Sequence, residues 1–359
     1  MKTLWLRRED KPSEWRVPLT PEGVAALIGQ GVRVVVETSK SRIFGDEEYQ
    51  AAGAELTDRH WRQAPVEAII LGLKELAASD QAIAHTHIYF SHSFKDQSGA
   101  GAVLKAYADG GGNLFDLEFL QDDQGRRIAA FGYWAGFVGA ALAVLGHAHY
   151  KRSDAPYPAL QPYASQQELV DAVNDALGDQ ALRVMIMGAL GRCGTGASDL
   201  LQQLKADIDI SAWDLAEFTA SDKPIRAILD HDVFINCVYL REPIHPMINP
   251  ALLAENRRLK IVSDVSCDPN NPNNPIAVYD DITSLSVPFR RAMGSDSAPV
   301  YVQAIDHLPT LLPREASQEF AAALLPHLLA FLTCPELPSV WRNAQGHFIA
   351  AQQRCGLRA

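Results

Sequence analysis

The sequence predicts an α/β protein of two domains, each built on a parallel sheet. Three observations point there. A chain of 359 residues is long for a single hydrophobic core. Short apolar runs alternate with helix-like segments in both halves. One such run, LRVMIMG, opens directly into a glycine-rich turn and a further helix pattern.

The elements follow in order. TLWLRR reads as a strand, and TPEGVAALIGQG as a helix with a Thr-Pro-Glu start and a Gly stop. VRVVVE is a second strand, DEEYQAAG a short amphipathic helix, and VEAIILGLK a strand ending at Lys74. From Ile128 to Gly146 the chain carries no charge and is about long enough to span a bilayer. Its Gly and Ala content weakens the apolar drive, so a buried helix between the domains is the preferred reading. SDAPYPALQPY, with three prolines, marks a boundary, and SQQELVDAVNDALG is a helix closing on Gly178. LRVMIMGALG, IDISAWDL, HDVFINCVYL and LKIVSDVS are four runs suited to parallel strands covered on both faces. DPNNPNNP is a turn cluster, and SQEFAAALLPHLLAFL has helical pattern.

Composition narrows the function. The chain is 47% hydrophobic and 21% charged, as ordinary soluble globular proteins are. A net charge of −11, from 43 acidic and 32 basic residues, argues against nucleic acid as the main partner, because phosphate must be met by a basic face. The five cysteines form no C-x-x-C pair and the first residues lack the apolar segment of a signal peptide, so a reducing cytoplasmic location is expected.

The glycine stretch VMIMGALGRCGTGASDLL has two readings. A dinucleotide cradle needs a strand, a tight turn whose amides approach pyrophosphate, and a helix whose N-terminal dipole meets the charge; all three occur in order. The spacing departs from strict G-x-G-x-x-G, fitting only with Ala189 in first place. Asp214 follows Gly191 by about twenty residues, where an acidic side chain accepts from the adenosine ribose and disfavours a 2′-phosphate. In the other reading Asp214 caps a turn and the glycines serve packing, with Arg192 reaching a phosphate or solvated.

Chemistry-bearing residues gather in the first domain. A lysine at a strand end beside other cations can have its pKa lowered toward neutrality, which makes Lys74 a usable general base. HTHIYFSHSFKDQSG brings His85, His87, His92 and Lys95 together, with His85 and His87 on one strand face and His92 in the following loop. No carboxylate or Cys stands at ligand spacing, so no metal is expected. Each of these histidines, and Arg16, Arg126 and Arg127, taken singly, suits a structural or solvated role as well.

The stretches GLKE, SHSFKDQSG, LFDLEFLQDDQGRRIAAFGYWAGFVGAA, GALGRCGTGA, INCVYL, NNPNNPI and IDHLPTLLPREAS resemble the NAD-dependent, lysine-forming saccharopine dehydrogenases, over nearly the whole chain. EWRVPLTPEGV is shared in kind with alanine dehydrogenases and marks only the wider superfamily, which includes the transhydrogenase nucleotide domains. The resemblance implies two Rossmann-like domains with the active site in the cleft between them. It implies a substrate and catalytic domain over 1–135, joined by about 315–359, and an NAD-binding domain over 136–314 that includes the linking helix. Lys74 and His92 fall on the catalytic acid–base pair. Arg16, Lys74, Lys95, Gln97, Arg127 and Phe131 fall on substrate-binding positions. Gly191, Arg192, Asp214, Tyr239, Val265, Ile305, Asp306, His307 and Leu308 fall on cofactor contacts, while Phe218 stands where relatives carry Thr.

The implied reaction converts saccharopine, NAD⁺ and water to lysine, 2-oxoglutarate and NADH, with small molecules and no membrane or nucleic acid as partners. A substrate with three carboxylates accounts for the cations, and Arg127 in DQGRRIAAF implies a carboxylate distant from the reacting carbon. The alternatives are a related amino-acid or opine-type dehydrogenase, such as an alanine dehydrogenase, and a non-catalytic NAD-binding regulator. Cys193 and Cys237, read as lying beside the first and fourth strands of a 3-2-1-4 order, form a possible disulfide.

Overall fold

The computed structural model describes residues 1–77, 79, 81–95, 99–238, 240, 242, 245–267, 269, 271, 273–295 and 298–357. The chain divides into two compact units, Met1–Ala130 with Pro313–Ala359, and Phe131–Leu312.

The first unit carries a six-stranded sheet of β1 (Thr3–Leu6), β2 (Arg33–Glu37), β3 (Glu55–Thr57), β4 (Ile69–Leu71), β5 (Thr86–Tyr89) and β6 (Asn113–Asp116). Its order is β3-β2-β1-β4-β5-β6, and every pair is parallel. Helices α1 (Pro21–Gly29), α2 (Asp46–Ala51) and α3 (Ala100–Gly110) connect the strands. The Thr-Pro start works as expected: the Thr20 side chain accepts from the Gly23 N–H at 3.3 Å and Pro21 occupies the first turn, where its missing N–H costs nothing. Trp5, Val35, Ile70, Tyr89, Leu104, Tyr107 and Phe348 belong to one buried cluster on this sheet.

The second unit begins with α4 (Gly132–Tyr150), followed by α5 (Gln166–Leu177). α5 starts at Ser165, whose hydroxyl accepts from the Glu168 N–H at 3.2 Å, and ends at Gly178, whose φ of +60° suits only glycine comfortably. Then come β7 (Leu182–Met187), α6 (Arg192–Gln202), β8 (Ile208–Trp213), α7 (Leu215–Ala220), α8 (Pro224–Leu229), β9 (Val233–Asn236), α9 (Pro250–Leu253), β10 (Ile261–Asp264), β11 (Arg290–Arg291) and β12 (Tyr301–Gln303). The sheet order is β11-β12-β10-β9-β7-β8, parallel throughout except for the β11–β12 pair. VFIN is therefore the third strand of this unit and not the fourth; β8 is the sheet edge, so the order is not 3-2-1-4. β9 still lies beside β7, because the connection through α7 and α8 carries the chain from β8 back past the first strand. Both strands are almost wholly buried, which is why they read as continuous apolar runs.

The uncharged segment becomes α4, which lies wholly within the second unit and packs on α5, α6, β9 and β10. Small residues make this close: a Cβ on Gly136 would lie 1.7 Å from the Cys193 carbonyl, and one on Gly196 would lie 1.9 Å from that of Tyr133. The α4 and α6 backbones touch where side chains would separate them. Among the described residues no helix is long and apolar enough to cross a membrane. The chain then returns to the first unit as α10 (Pro313–Thr333) and α11 (Ser339–Arg354). There α10 meets α1, and α11 covers β6 and α3.

Candidate active site

In the first unit the polar residues collect beyond the carboxyl ends of β1, β4, β5 and β6, four successive strands of the sheet. Apolar strand interiors fix these ends, and the short segments beyond them carry the chemistry.

Lys74 follows β4. Burial pushes its amine below the ordinary lysine range; the charges of Arg16 and Lys11 add to that, while Glu14 and Glu75 oppose it. Arg16 is itself buried and held by Glu14, with Nε donating to Oε1 at 2.8 Å and Nη2 to Oε2 at 2.6 Å. Burial pushes the Glu14 carboxyl up, but Arg16 and Lys74 together outweigh it and the net direction is down. Lys11 donates to Glu75 at 2.7 Å. Lys74 thus sits among two cations and two carboxylates in a mostly dehydrated setting, which favours its neutral, proton-accepting form more than water would.

His92 follows β5 with a φ of +51°, in the left-handed region. Its N–H donates to Oδ2 of Asp116 at 3.2 Å. The buried Asp116 also accepts from the Ser91 hydroxyl at 2.7 Å and the Glu118 N–H at 2.9 Å, so one carboxylate fixes the turn. The His92 ring faces Glu118, Nδ1 to Oε2 at 3.6 Å, an ion-pair distance rather than a hydrogen bond. Lys95 donates to Glu118 at 2.8 Å and Arg127 at 2.5 Å. His92, Lys95 and Arg127 together hold the Glu118 carboxyl down at about 2 against the upward push of burial. Three of the sequence-predicted residues therefore converge on one carboxylate.

His85 and His87 are core residues. Both rings lie against Trp61, His85 Nε2 is 3.1 Å from the Ala64 carbonyl, and burial drives His87 well below the ordinary imidazole range. Among the described residues no group of three or more His, Cys, Asp or Glu side chains is placed to hold a metal ion. Gln97 lies outside the described residues, and Phe131 belongs to the second unit, where it precedes α4. Glu14, Asp116 and Glu118 escaped the sequence reading. Nothing in LFDLEFL marks Glu118, because its cationic partners come from other segments that only the fold brings to it.

In the second unit the predicted cofactor contacts among the described residues follow the carboxyl ends of the strands. β8 and β9 flank β7, so the turn after β7 sits where the strand order reverses, the usual place for a ligand in open α/β sheets. The four glycines of that turn and of the first turns of α6 have different work. Gly188 has a φ of +84°, which the turn requires. A Cβ on Gly194 would lie 2.3 Å from the Gly188 carbonyl, and Gly196 packs on α4. At Gly191 a Cβ would meet only the Gly188 carbonyl, at an ordinary 3.5 Å. The protein's own packing therefore does not require glycine at 191, and the missing side chain leaves room at the N-terminus of α6 for a ligand.

Asp214 ends β8 and caps α7, Oδ1 accepting from the Leu215 N–H at 2.9 Å; Oδ2 accepts from the Leu190 N–H at 3.2 Å and ties the glycine turn to the strand end. Capping and a ligand role are compatible, because each carboxylate oxygen has a second lone pair. Leu190 and Leu215, 87% and 72% exposed, flank it. Val265 follows β10 and Asp306 and His307 follow β12, their side chains joined by a short hydrogen bond; Ile305 and Leu308 are buried behind them. Phe218 packs against the core of the unit. Tyr239 lies outside the described residues. Cys193 and Cys237 are both free thiols in this structure. Burial pushes Cys193 up to about 11 and Cys237 well above its ordinary value, away from the thiolate that disulfide exchange needs.

Two parallel-sheet units, the second with a glycine turn at its switch point, define the class: an α/β protein with the alanine dehydrogenase fold. A solved L-alanine dehydrogenase structure matches 97% of this chain and 98% of its own, with a TM-score of 0.69 at 16% identity. The family model described as Alanine dehydrogenase/PNT, N-terminal domain matches residues 5–138. Within that class the sequence relatives are narrower. "Saccharopine dehydrogenase [NAD(+), L-lysine-forming]" of Schizosaccharomyces pombe is 43% identical, covering 95% of this chain and 96% of the relative. The Candida albicans protein of the same name is 42% identical, covering 96% of each. The chain belongs to the lysine-forming saccharopine dehydrogenase family.

Proposed function

We propose that this protein catalyses the reversible NAD⁺-dependent conversion of saccharopine and water to lysine and 2-oxoglutarate, in the cytoplasm. The observation that carries the reading is a buried lysine of lowered pKa, Lys74, on the strand end next to that of His92, in a chain matched end to end with relatives of that name.

NAD⁺, when bound, accepts the hydride from the Cα of the glutamate-derived half of saccharopine. Lys74 takes the proton from the secondary amine, and its dehydrated site favours the neutral amine that does so. His92 serves as acid and base for the water that hydrolyses the resulting imine. Arg16, Lys95, Gln97 and Arg127, with Phe131, hold the substrate; bidentate Arg forks and a Lys point charge suit its three carboxylates. Gly191 and Arg192 meet the pyrophosphate and Asp214 the adenosine ribose. Tyr239, Val265, Asp306 and His307, backed by Ile305 and Leu308, complete the cofactor set. The first unit is thus the substrate domain and the second the NAD domain.

The test is NADH formation by the purified protein over saccharopine, alanine and lysine, each with NAD⁺, and NADH consumption by lysine with several oxo acids. Saccharopine oxidation supports the reading; turnover of alanine alone would replace it with the alanine dehydrogenase alternative.

A further inference from the structure

Lys74 lies beyond the last ladder residue of β4, in a segment without regular secondary structure, yet its main chain is held from both sides by one buried ion pair. Arg7 and Glu9 follow β1, the neighbouring strand. Their side chains are 1% and 7% exposed, and Arg7 Nη1 lies 3.2 Å from Glu9 Oε2. Glu9 accepts from the Leu73 N–H at 2.7 Å and from the Lys74 N–H at 2.9 Å. Arg7 Nη2 donates to the Lys74 carbonyl in a short hydrogen bond. The two charged groups therefore grip the two ends of the same residue's backbone.

The guanidinium is itself fixed. Its Nε donates to Nε2 of the buried His87 at 3.2 Å, and Nη1 donates to the Arg8 carbonyl at 3.1 Å. Gly72 lies against it so closely that a Cβ there would fall 2.2 Å from Nε, so glycine at 72 is what lets Arg7 reach past to residue 74. Gly72 and Leu73 are also tied to the β5 side, through Gly72 N–H to Ile88 O at 2.9 Å and Phe90 N–H to Leu73 O at 3.0 Å.

We propose that the Arg7–Glu9 pair is the positioning device for Lys74, setting where its amine stands relative to substrate. The inference rests on the reading of Lys74 as the general base. A lysine reaches its substrate through four rotatable bonds, and a misplacement of about 1 Å at a reacting group costs on the order of a hundredfold in rate. A carboxylate that accepts two adjacent N–H groups and a fork that holds the Lys74 carbonyl just after them remove the backbone's share of that freedom.

The experiment uses the full chain with saccharopine and NAD⁺. Glu9→Gln replaces one of the two acceptors with an NH₂ that faces an N–H donor. We expect kcat to fall about 10- to 100-fold, with KM for NAD⁺ changed less than twofold. Arg7→Lys, which leaves the carboxylate prong in place, serves if Glu9→Gln does not fold, and its kcat should fall about tenfold with the same KM split. Trp341→Phe in α11 is the stability control: it should lower Tm and leave kcat within twofold. Lys74→Met is run beside them. If Lys74→Met lowers kcat by about 10²–10⁴ while the folded Arg7 or Glu9 variants keep near-normal kcat, the positioning inference is overturned and the base assignment stands. If Lys74→Met keeps near-normal kcat, both fall. A kcat loss in Trp341→Phe equal to that in Glu9→Gln at matched Tm also overturns it.

Discussion

Replacing Gly191 with alanine separates a cofactor cradle from a mere turn. Gly191 has an extended backbone, φ −77° and ψ 168°, which alanine adopts freely, and its new methyl would meet only a carbonyl at 3.5 Å. The loss of a favourable N-cap and the gain from a stiffer unfolded chain are each under about 1 kcal/mol and oppose one another, so stability should move by less than about 0.5 kcal/mol. A phosphate brought to the α6 N-terminus would meet that methyl. Losing one hydrogen bond to a charged group costs about 1.5–3 kcal/mol. NAD⁺ affinity should therefore weaken about tenfold to a hundredfold. Gly196→Ala is the contrast: its methyl would lie 1.9 Å from the Tyr133 carbonyl, so α4 and α6 must part, at about 1–3 kcal/mol or more. Urea unfolding and calorimetric NAD⁺ titration of both variants decide the matter. Gly191→Ala with intact stability and NAD⁺ affinity within twofold of the unaltered protein would refute the cradle.

Lys74→Met and His92→Gln should each lower kcat by about 10²–10⁴, and the double variant by less than the product, measured as NADH formation at saturating substrates. The unaltered protein should prefer NAD⁺ to NADP⁺, and Asp214→Ser, which retains a capping side chain for α7, should narrow the ratio of kcat/KM by about tenfold or more; equal efficiency with both cofactors in the unaltered protein removes Asp214 from the cofactor site. Glu118, held at about 2 against an ordinary 4.5, stabilises the fold above pH 4.5 and loses that contribution as pH falls toward 2. At about 1.36 kcal/mol per pH unit the full effect is about 3 kcal/mol, and because its three partners are 42–56% exposed about 1–2 kcal/mol should remain. Urea unfolding should show Glu118→Gln less stable by that amount at pH 7 and by visibly less at pH 3.5; a gap that does not narrow contradicts the assignment.

The central parallel strands were legible because both faces are buried and the run is continuously apolar, as in VFIN and IIL, whereas the edge strand β8 is only partly buried. α1 and α5 were legible because Thr20, Ser165 and Gly178 carry their end signals in the residue types themselves. The strand order of the second unit was not, since nothing local to VFIN says on which side of β7 it pairs. Lys74 stood out as a titratable residue at the end of an apolar run, whereas His92 was singled out from its neighbours only by the family resemblance. Arg7, Glu9 and Asp116 did not, because their work is to hold backbone groups brought near only by the sheet, and a buried carboxylate that accepts N–H groups looks in sequence like any other acid. The four glycines read alike in sequence, and only the fold shows that three serve turn or packing while 191 leaves space.

The most direct measurement of the central claim is a stoichiometric one. Saccharopine is incubated with NAD⁺ and the purified protein, NADH is followed by absorbance, and lysine and 2-oxoglutarate are quantified by mass spectrometry at several times. The proposed reaction requires equal amounts of NADH, lysine and 2-oxoglutarate, all formed about 10²–10⁴-fold more slowly by Lys74→Met. NADH without lysine, or no saccharopine-dependent NADH from folded protein that binds NAD⁺, would contradict it.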